Sequence, residues 1–469
     1  MTLPGVVVLN DDARPLSGPR LTLATAFLVG ETEFGLQSAV LSRTKREFVR
    51  NHGARTVDYT AMHDWVDTFF KEGGTALYAS RLLGPAAAAA AHAFVDGDAA
   101  TSITVTSRDK GTFGNRLYAD IDVSGNTFEV IIYLDGTTAD KIVERSGFVA
   151  TPADAATWAT DARYVRITVG VGVDPVATAA TALTGGDDDL DGITGTQITT
   201  ALDKFGAALG PGSVVLPGRT ATASQLLAAT HAAANNRLAR LDAVVSASAA
   251  TVLTQAATLR AGENPDVCDL LGPAVTIPGL TAGTTRTIGA SALRCGIEAR
   301  NDAAGLSPNQ PAAGNWGIAR YATAPTVEWD DGDREDLNDA GVNVVRVIDS
   351  QVKLYGARTL SDPATDPAAV RVGSARLRMA ITEIARARAE QIVFAELDPG
   401  GVVLGDHVGL VRADINRYAR SLYFLDVTAQ VVEDDLLPGV YLVETAIEFQ
   451  AAPDAERVRV VITRAVTEV

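Results

Sequence analysis

LNDAGVNVVRVIDSQVKLYGARTLSDP, residues 337–363, decides how the chain is read. Asn/Gly turn chemistry at Asn338–Gly341 feeds VNVVRVI (342–348), whose β-branched residues favour a strand. VKLYGARTL (352–360) reads as a second strand, and SDP (361–363) stops it. Two short strands and a polar turn are one corner of a larger layer; the flanking sequence supplies the rest.

Upstream, TLATAFLVG (22–30) has the apolar run of a buried strand. SRTKREFVRNHG (42–53) is a short helix stopped by Gly53. YTAMHDWVDTFFKEGG (59–74) is a longer one, with Met62, Trp65, Val66 and Phe69 at helical spacing and Gly73-Gly74 as its stop. TALYASRLL (75–83) returns as a strand, an order that predicts an α/β layer. GPAAAAAAHAF (84–94) is a linker-like run. SITVTSRD, RLYADIDV and TFEVIIYLD then alternate with period two, as antiparallel strands do, and RYVRITVG (163–170) adds another. α/β signals resume with a helix over 196–209, a strand end at SVVLPG (213–218), a helix over SQLLAATHAAANNRLARL (224–241) and a strand at DAVVSAS (242–248). Downstream of the opening stretch come helices over 374–395 and 406–424, then strands YLVETAIEFQ (441–450) and RVRVVITRAV (457–466). PGVVVLNDD and RPLSGPR at the start read as an extended arm.

The expected fold is therefore an α/β core (mixed α+β) with an inserted antiparallel β domain and a C-terminal helix-plus-strand domain with extended terminal arms. The divisions are 1–20 (arm), 21–89 (core), 90–175 (inserted β domain), 176–335 (core), 336–455 (C-terminal domain) and 456–469 (strand arm).

Bulk properties exclude several functions. A chain of 469 residues, 47% of them apolar, builds two to four domains. A net charge of −17 argues against general nucleic-acid binding, which needs a cationic face. Cys268 and Cys295 have no metal-ligand spacing and read as free thiols. MTLPGVVVLNDDARP lacks the features of a signal peptide, and no apolar run is long enough to span a membrane.

Chemistry-bearing motifs are few. GGDDDLDGITG (185–195) places Asp187, Asp189 and Asp191 at positions 1, 3 and 5 of a calcium loop, but position 12, where a closing Glu belongs, is Ile198. It reads as a solvent-facing turn capping the helix after it, with an opportunistic cation site as the alternative. GVGVDP (170–175) imitates a dinucleotide loop but has Pro175 where the third glycine belongs. His63-Asp64 is half a triad without a nucleophile motif, and EWDDGDRED (328–336) reads as a polar loop. No catalytic, cofactor or metal residues are assigned.

The opening stretch resembles the contractile tail sheath family of bacteriophages and related injection particles, where a LN..GVN.IR segment precedes WGARTLS.DP; Tyr355 stands where the family usually has Trp. Further segments are similar in order: EFVRNHG, FFKEGGTALYASRL, KGTFGNRL, LTGGDDDLDGITG, VVLPG, NNRLARLD and CGIEARNDAAGLSPNQPAAGN. The last hundred residues depart most, with VFAELDPGG (393–401) where the family has an acidic-aromatic FEPN stretch.

The resemblance implies a structural subunit and no enzyme. It polymerises as hexameric stacked rings around a tail tube and contracts to drive the tube through an envelope; a non-contractile tube or surface-layer protein is the alternative. Implied partners are further copies, the tail tube protein, and baseplate and tail terminator proteins, with no nucleic acid, membrane insertion or cofactor. The setting is a virion or injection-particle tail assembled in a bacterial cytoplasm. Val6, Val7 and Val8 with Val458, Val460 and Ile462 are the expected inter-subunit arm residues. Residues 371–390 hold five Arg against two Glu; Leu377, Ile381 and Ile384 form an apolar stripe, and Arg371, Arg378 and Arg386 are expected to face the tube from another side.

Overall fold

A computed structural model describes residues 23–392, 401–418, 422, 424–433, 441–450 and 458–466. The expected N-terminal arm, including Val6, Val7 and Val8, lies outside the described residues. The chain opens with β1 (Ala26–Gly30), β2 (Val40–Ser42), α1 (Lys45–His52), α2 (Ala61–Glu72) and β3 (Leu77–Arg81). The expected strand–helix–helix–strand order is present, with β2 as an added edge.

Residues 84–94 are more than a linker. Ala88 bridges to Asp187, Ala91 exchanges backbone hydrogen bonds with Thr184, and Ala87 and Ala90 are buried. Alanine suits this path because backbone passes close to backbone there. The run leads into β4 (Ala91–Val95), β5 (Thr101–Ser107), β6 (Leu117–Ser124), β7 (Thr127–Leu134), β8 (Ile142–Val149), α3 (Pro152–Trp158), β9 (Val165–Val169) and β10 (Thr178–Ala182). Two antiparallel sheets, β10-β6-β7-β8 and β4-β5-β9, enclose an apolar core that includes Phe94, Ile103, Val130 and Ile167. β8 and α3 escaped the sequence reading, and β10 pairs with β6, so the module runs past the expected boundary at 175.

The central layer resumes with α4 (Gly195–Leu202), β11 (Gly212–Val215), α5 (Thr222–Ala234), β12 (Arg237–Asp242), α6 (Ala249–Arg260), β13 (Cys268–Gly272), β14 (Val275–Pro278), β15 (Thr285–Ile288), α7 (Ser291–Ala303), β16 (Ala324–Pro325), α8 (Asp331–Asp339), β17 (Val342–Ile348) and β18 (Gln351–Tyr355). Eight strands pair in the order β18-β17-β13-β12-β11-β1-β3-β2. The inner pairings are parallel, and the edge strands β18 and β2 are antiparallel. One apolar core lies on each face: one is built from α4, α5, α6 and α8, the other from α2 and α7. Within the opening stretch, Asp349 and Ser350 both have positive φ and make the two-residue β17–β18 turn. Gly341 (φ +80°) has to be glycine, since a Cβ there would sit 2.5 Å from the Thr359 carbonyl oxygen.

Two expectations fail in this layer. The helix over 224–241 ends at Ala234; Asn236 turns left-handed, and RLARLD is the central strand β12, while DAVVSAS (242–248) is mostly loop. Arginines concealed the strand. Arg237 is buried over the Phe27 ring, 3.7 Å from its centroid, and donates to the carbonyls of Phe205, Gly206 and Gly210. Residues 328–336 are not a loop throughout, because α8 begins at Asp331 with the Asp330 carboxylate accepting from the Asp333 amide.

The chain ends with α9 (Val372–Ile392), α10 (Val402–Tyr418), β19 (Phe424–Glu433), β20 (Tyr441–Gln450) and β21 (Val458–Val466). β19 is absent from the sequence reading; it starts at Phe424, the last residue of the expected 406–424 helix. The three strands form one antiparallel sheet, β19-β20-β21. α9 belongs to two cores: Val372, Ala375, Met379 and Ala380 pack in the central layer, whereas Leu377, Ile381 and Ile384 pack with Val411, Ile415, Val427, Ile447 and Phe449.

Candidate functional site: assembly surfaces and the charged seams behind them

The motif residues of the sequence converge on one buried seam. Asp269 of β13 receives Arg240 Nη1 of β12 at 2.5 Å and stands 3.1 Å from Arg294 Nε of α7. Arg240 also reaches Glu298 of α7. Arg376 of α9 closes the set, with Nη2 2.7 Å from Asp302 and Nε 3.6 Å from Glu298. Asn343 of β17 donates to Asp269 and to the Arg358 carbonyl, and accepts from the Arg358 amide at 2.8 Å. Three guanidiniums thus meet three carboxylates, five of the six nearly sealed from solvent. Burial alone would lower the Arg376 pKa, but Glu298 and Asp302 outweigh it and hold that pKa above the usual arginine value. Asp242, at the end of β12, accepts from the Ser291 amide and hydroxyl at 2.8 Å each; burial pushes its pKa up to about 6. The asparagine of GVN, the arginine and aspartate of ARLD and the acids of GIEARND are therefore neighbours. No sequence spacing announces that.

A second seam fixes the β module to the core, and here the acidic loop is corrected. Asp188 is buried rather than solvent-facing. Its Oδ1 accepts from Arg81 Nη2 at 2.6 Å, and its Oδ2 accepts from the Tyr59 hydroxyl at 2.5 Å, the Thr112 hydroxyl at 2.6 Å and the Thr112 amide at 3.1 Å. Arg81, fully buried, also donates to the carbonyls of Thr32, Glu33 and Lys110. Asp189 accepts from the Ala86 amide, and α4 is capped by Thr194 with Gln197, not by the loop carboxylates. Among the described residues no group of His, Cys, Asp and Glu is arranged to hold a metal.

The remaining singled-out features are structural. GVGVDP lies at the tip of the β module, where the Asp96 carboxylate accepts from the amides of Asp98, Ala100 and Val173. His63 is buried edge-on to Phe48, its pKa lowered to about 4 chiefly by burial. Cys268 and Cys295 are free and buried. No helix among the described residues is long and apolar enough to cross a membrane.

The arm and tube-facing candidates fall as follows. Residues 458–466 are not a free arm in this chain: β21 pairs along its length with the chain's own β20, from Phe449↔Val458 to Tyr441↔Val466. Val460 and Ile462 pack against the C-terminal core. The outer edges of β19 and β21 carry no further strand among the described residues. Arg371 precedes α9 and bridges to Arg358 through its backbone. Arg378 pairs with Asp266 at 2.5 Å and Arg386 with Glu383 at 2.5 Å, both partly exposed. Arg376 and Arg388 are buried against Asp302 and Asp414. The expected basic stripe is thus largely neutralised within the chain, while the apolar stripe of Leu377, Ile381 and Ile384 is fully buried.

The described residues thus join a doubly wound central layer, held by a charged seam, to an antiparallel C-terminal sheet with two unpaired outer edges. Residues 191–360 match the family model of the phage tail sheath protein central domain. That stretch is similar to the central domain of the phage tail sheath family, whose proteins are structural and not enzymes. No curated protein matches the chain by sequence. Its fold is similar to the crystal structure of a sheath tail protein from Desulfitobacterium hafniense, at 14% identity and TM-score 0.61, covering 95% of this chain and 97% of that one. A sheath tail protein from Listeria innocua is similar at 13% identity and TM-score 0.65, covering 95% and 96%. The helical sheath of the anti-feeding prophage in its contracted state matches at 12% identity and TM-score 0.50, covering 100% and 97%.

Proposed function

We propose that this sheath subunit polymerises as stacked rings around a tail tube and contracts to drive the tube through a target envelope. The observation that carries the reading is the C-terminal sheet, whose outer edges stay unpaired among the described residues beside a sheath central domain. An exposed edge is a liability in a monomer and a connector in a polymer. The N-terminal residues around Val6–Val8 are the strand that a neighbouring copy would accept there, and Val458, Val460 and Ile462 belong to the accepting sheet. Tail tube, baseplate and terminator are the further partners of this reading, with Arg378 and Arg386 as exchangeable tube contacts because their present pairs are partly solvated.

Electron microscopy of the purified chain tests the proposal. Hollow cylinders are expected, in long narrow and short wide forms. Deleting residues 1–20 should leave a folded monomer that makes no cylinders. Normal cylinders from the deletion variant would sink the arm connection, and a single, invariant cylinder form would favour the non-contractile alternative.

A further inference from the structure

The cleft between α1 and the β module gathers arginines, in a chain whose net charge is −17. Its volume is about 340 Å³, and Arg50, Arg108 and Arg163 line it together with Phe113, Tyr164 and Asp161. Asp109, a second carboxylate of the wall, accepts from the Gly35 amide at 3.0 Å. Arg108 Nη1 donates to the carbonyls of Thr160 and Ala162, and Arg163 Nη2 donates to that of Arg50 at 2.6 Å. Arg163 also lies 5.2 Å from the Tyr164 ring centroid. These contacts orient the guanidiniums without neutralising them: none of the three guanidiniums pairs with a carboxylate among the described residues, and Glu144 accepts only from the backbone amides of Arg163 and Tyr164. Arg43 and Arg46, exposed beside Arg50 on and before α1, extend the cationic surface.

The complementary surface is on α8. Asp331, Glu335 and Asp339 are exposed and spaced i, i+4, i+8, which sets three carboxylates along one side of the helix. Among the described residues Asp331 pairs with Arg334 and Asp339 with Arg358 at 3.5 Å, both pairs solvated on the carboxylate side. The two surfaces cannot meet within one chain. α1 follows β2 at one end of the eight-stranded sheet, and α8 packs beside β17 near the other, six strands away, or roughly 29 Å at the usual strand spacing. They also lie on opposite faces, since Phe48 of α1 and Leu337 of α8 belong to different cores.

We propose that the Arg50–Arg108–Arg163 cleft of one copy receives the Asp331–Glu335–Asp339 ridge of the next, as a head-to-tail contact of the polymer. The contact rests on the sheath reading and deepens it by naming a pair of faces. Because the faces differ, the contact is heterologous: repeated, it generates a ring or a helix and not a closed dimer. Arginine suits the role, since its planar fork grips carboxylates in two-point fashion. The cleft is too small for a whole helix but large enough for carboxylate side chains projecting from one, which favours a contact that docks and releases without unfolding either partner.

Paired charge reversals in the full-length chain test this. One variant carries Arg50→Glu with Arg163→Glu, the other Glu335→Arg with Asp339→Arg. Each alone is expected to raise the critical assembly concentration about tenfold, the size of effect of one or two solvated ion pairs. Mixed one to one, the variants present only complementary faces, so assembly should return to the wild-type concentration range. The chain carrying all four substitutions should also assemble by itself. Unchanged melting of both variants shows that folding is intact; should the first variant misfold, Arg46→Glu with Arg50→Glu replaces it. Assembly of either variant at wild-type concentration, or failure of both the mixture and the fourfold variant to recover, overturns the proposal and leaves the cleft to another occupant. Sedimentation velocity of the mixed variants against each alone reads the contact without cylinders. A wild type that forms none would therefore refute the sheath reading separately.

Discussion

The central layer and the β module solve the same problem in opposite ways. The module's interior is mainly apolar, with Ser102, Ser107 and Glu129 among its few buried polar residues, whereas the central sheet carries Arg237, Arg240, Asp242 and Asp269 on strands buried on both faces. An apolar core asks only for volume and alternation, which many sequences satisfy. A buried ionic seam asks for each partner by name, because one missing charge leaves another stranded in low dielectric. The sharpest motifs therefore sit in the central layer, and the module reads as generic β pattern pinned to the core by Asp188, among other contacts.

The harshest way to break that contrast is Asp269→Ala. It strips Arg240 and Arg294 of a shared counter-charge and should cost about 3–5 kcal/mol, whereas Ile132→Val in the module core should cost about 1 kcal/mol. Urea midpoints of the two variants measure the difference, and similar losses would erase the distinction. Next comes Asp188→Ala, which strips buried Arg81 of its counter-charge and removes the carboxylate that Tyr59 and Thr112 donate to; about 2–4 kcal/mol is expected. Limited proteolysis should then cut first around 84–90 and 184–190, at the joint, with the module's own sheets still protected.

Asp242 sharpens the comparison through pH. Its folded pKa, about 6, is raised above the unfolded value near 4, so its contribution is fully present below about pH 4 and is lost as pH rises through 6. Asp242→Asn keeps an acceptor for the Ser291 amide and a donor for its hydroxyl while removing the charge. The variant should gain roughly 2–3 kcal/mol on wild type between pH 4 and 7, a difference that vanishes in acid. Only the variant-minus-wild-type difference isolates this group, because His52 and His63, with pKa values lowered to about 3 and about 4 by burial, destabilise both chains as pH falls below 6.5. A flat difference across pH 4–7 would refute the assignment. The smallest expected effect is that of Arg378→Glu with Arg386→Glu, under about 1 kcal/mol, since both pairs are partly solvated. Tube loading at low salt, if tubes are bound through α9, should fall far more than stability does.

Legibility followed the same divide. The strands β17 and β18, the apolar faces of α2 and α9, and the order of the segments were readable because they depend on neighbours in sequence. β12 was not, because Arg237 and Arg240 look like a solvated helix face until Phe27, Asp269 and Glu298 arrive from elsewhere to compensate them. Asp188 was unreadable for the same reason: among four aspartates only the fold chooses which meets Arg81. The acid-rich α8 was missed because its apolar signal rests on Leu337 alone, supported by the Asp330 cap. The strand 458–466 was visible as a strand, but its pairing with β20 is a matter of register and topology.

α9 has a mechanical consequence. Its 21 residues span about 32 Å as one helix, with glycine only at its second position and no proline. One end is cemented among the central strands and locked by Arg376; the other is cemented into the C-terminal core and locked by Arg388. A rod gripped at both ends has no clutch. Any angle through which the central layer swings arrives at the C-terminal sheet undiminished, so the two bodies keep phase as a shaft keeps two gears in phase. Slack between them would require breaking the helix itself.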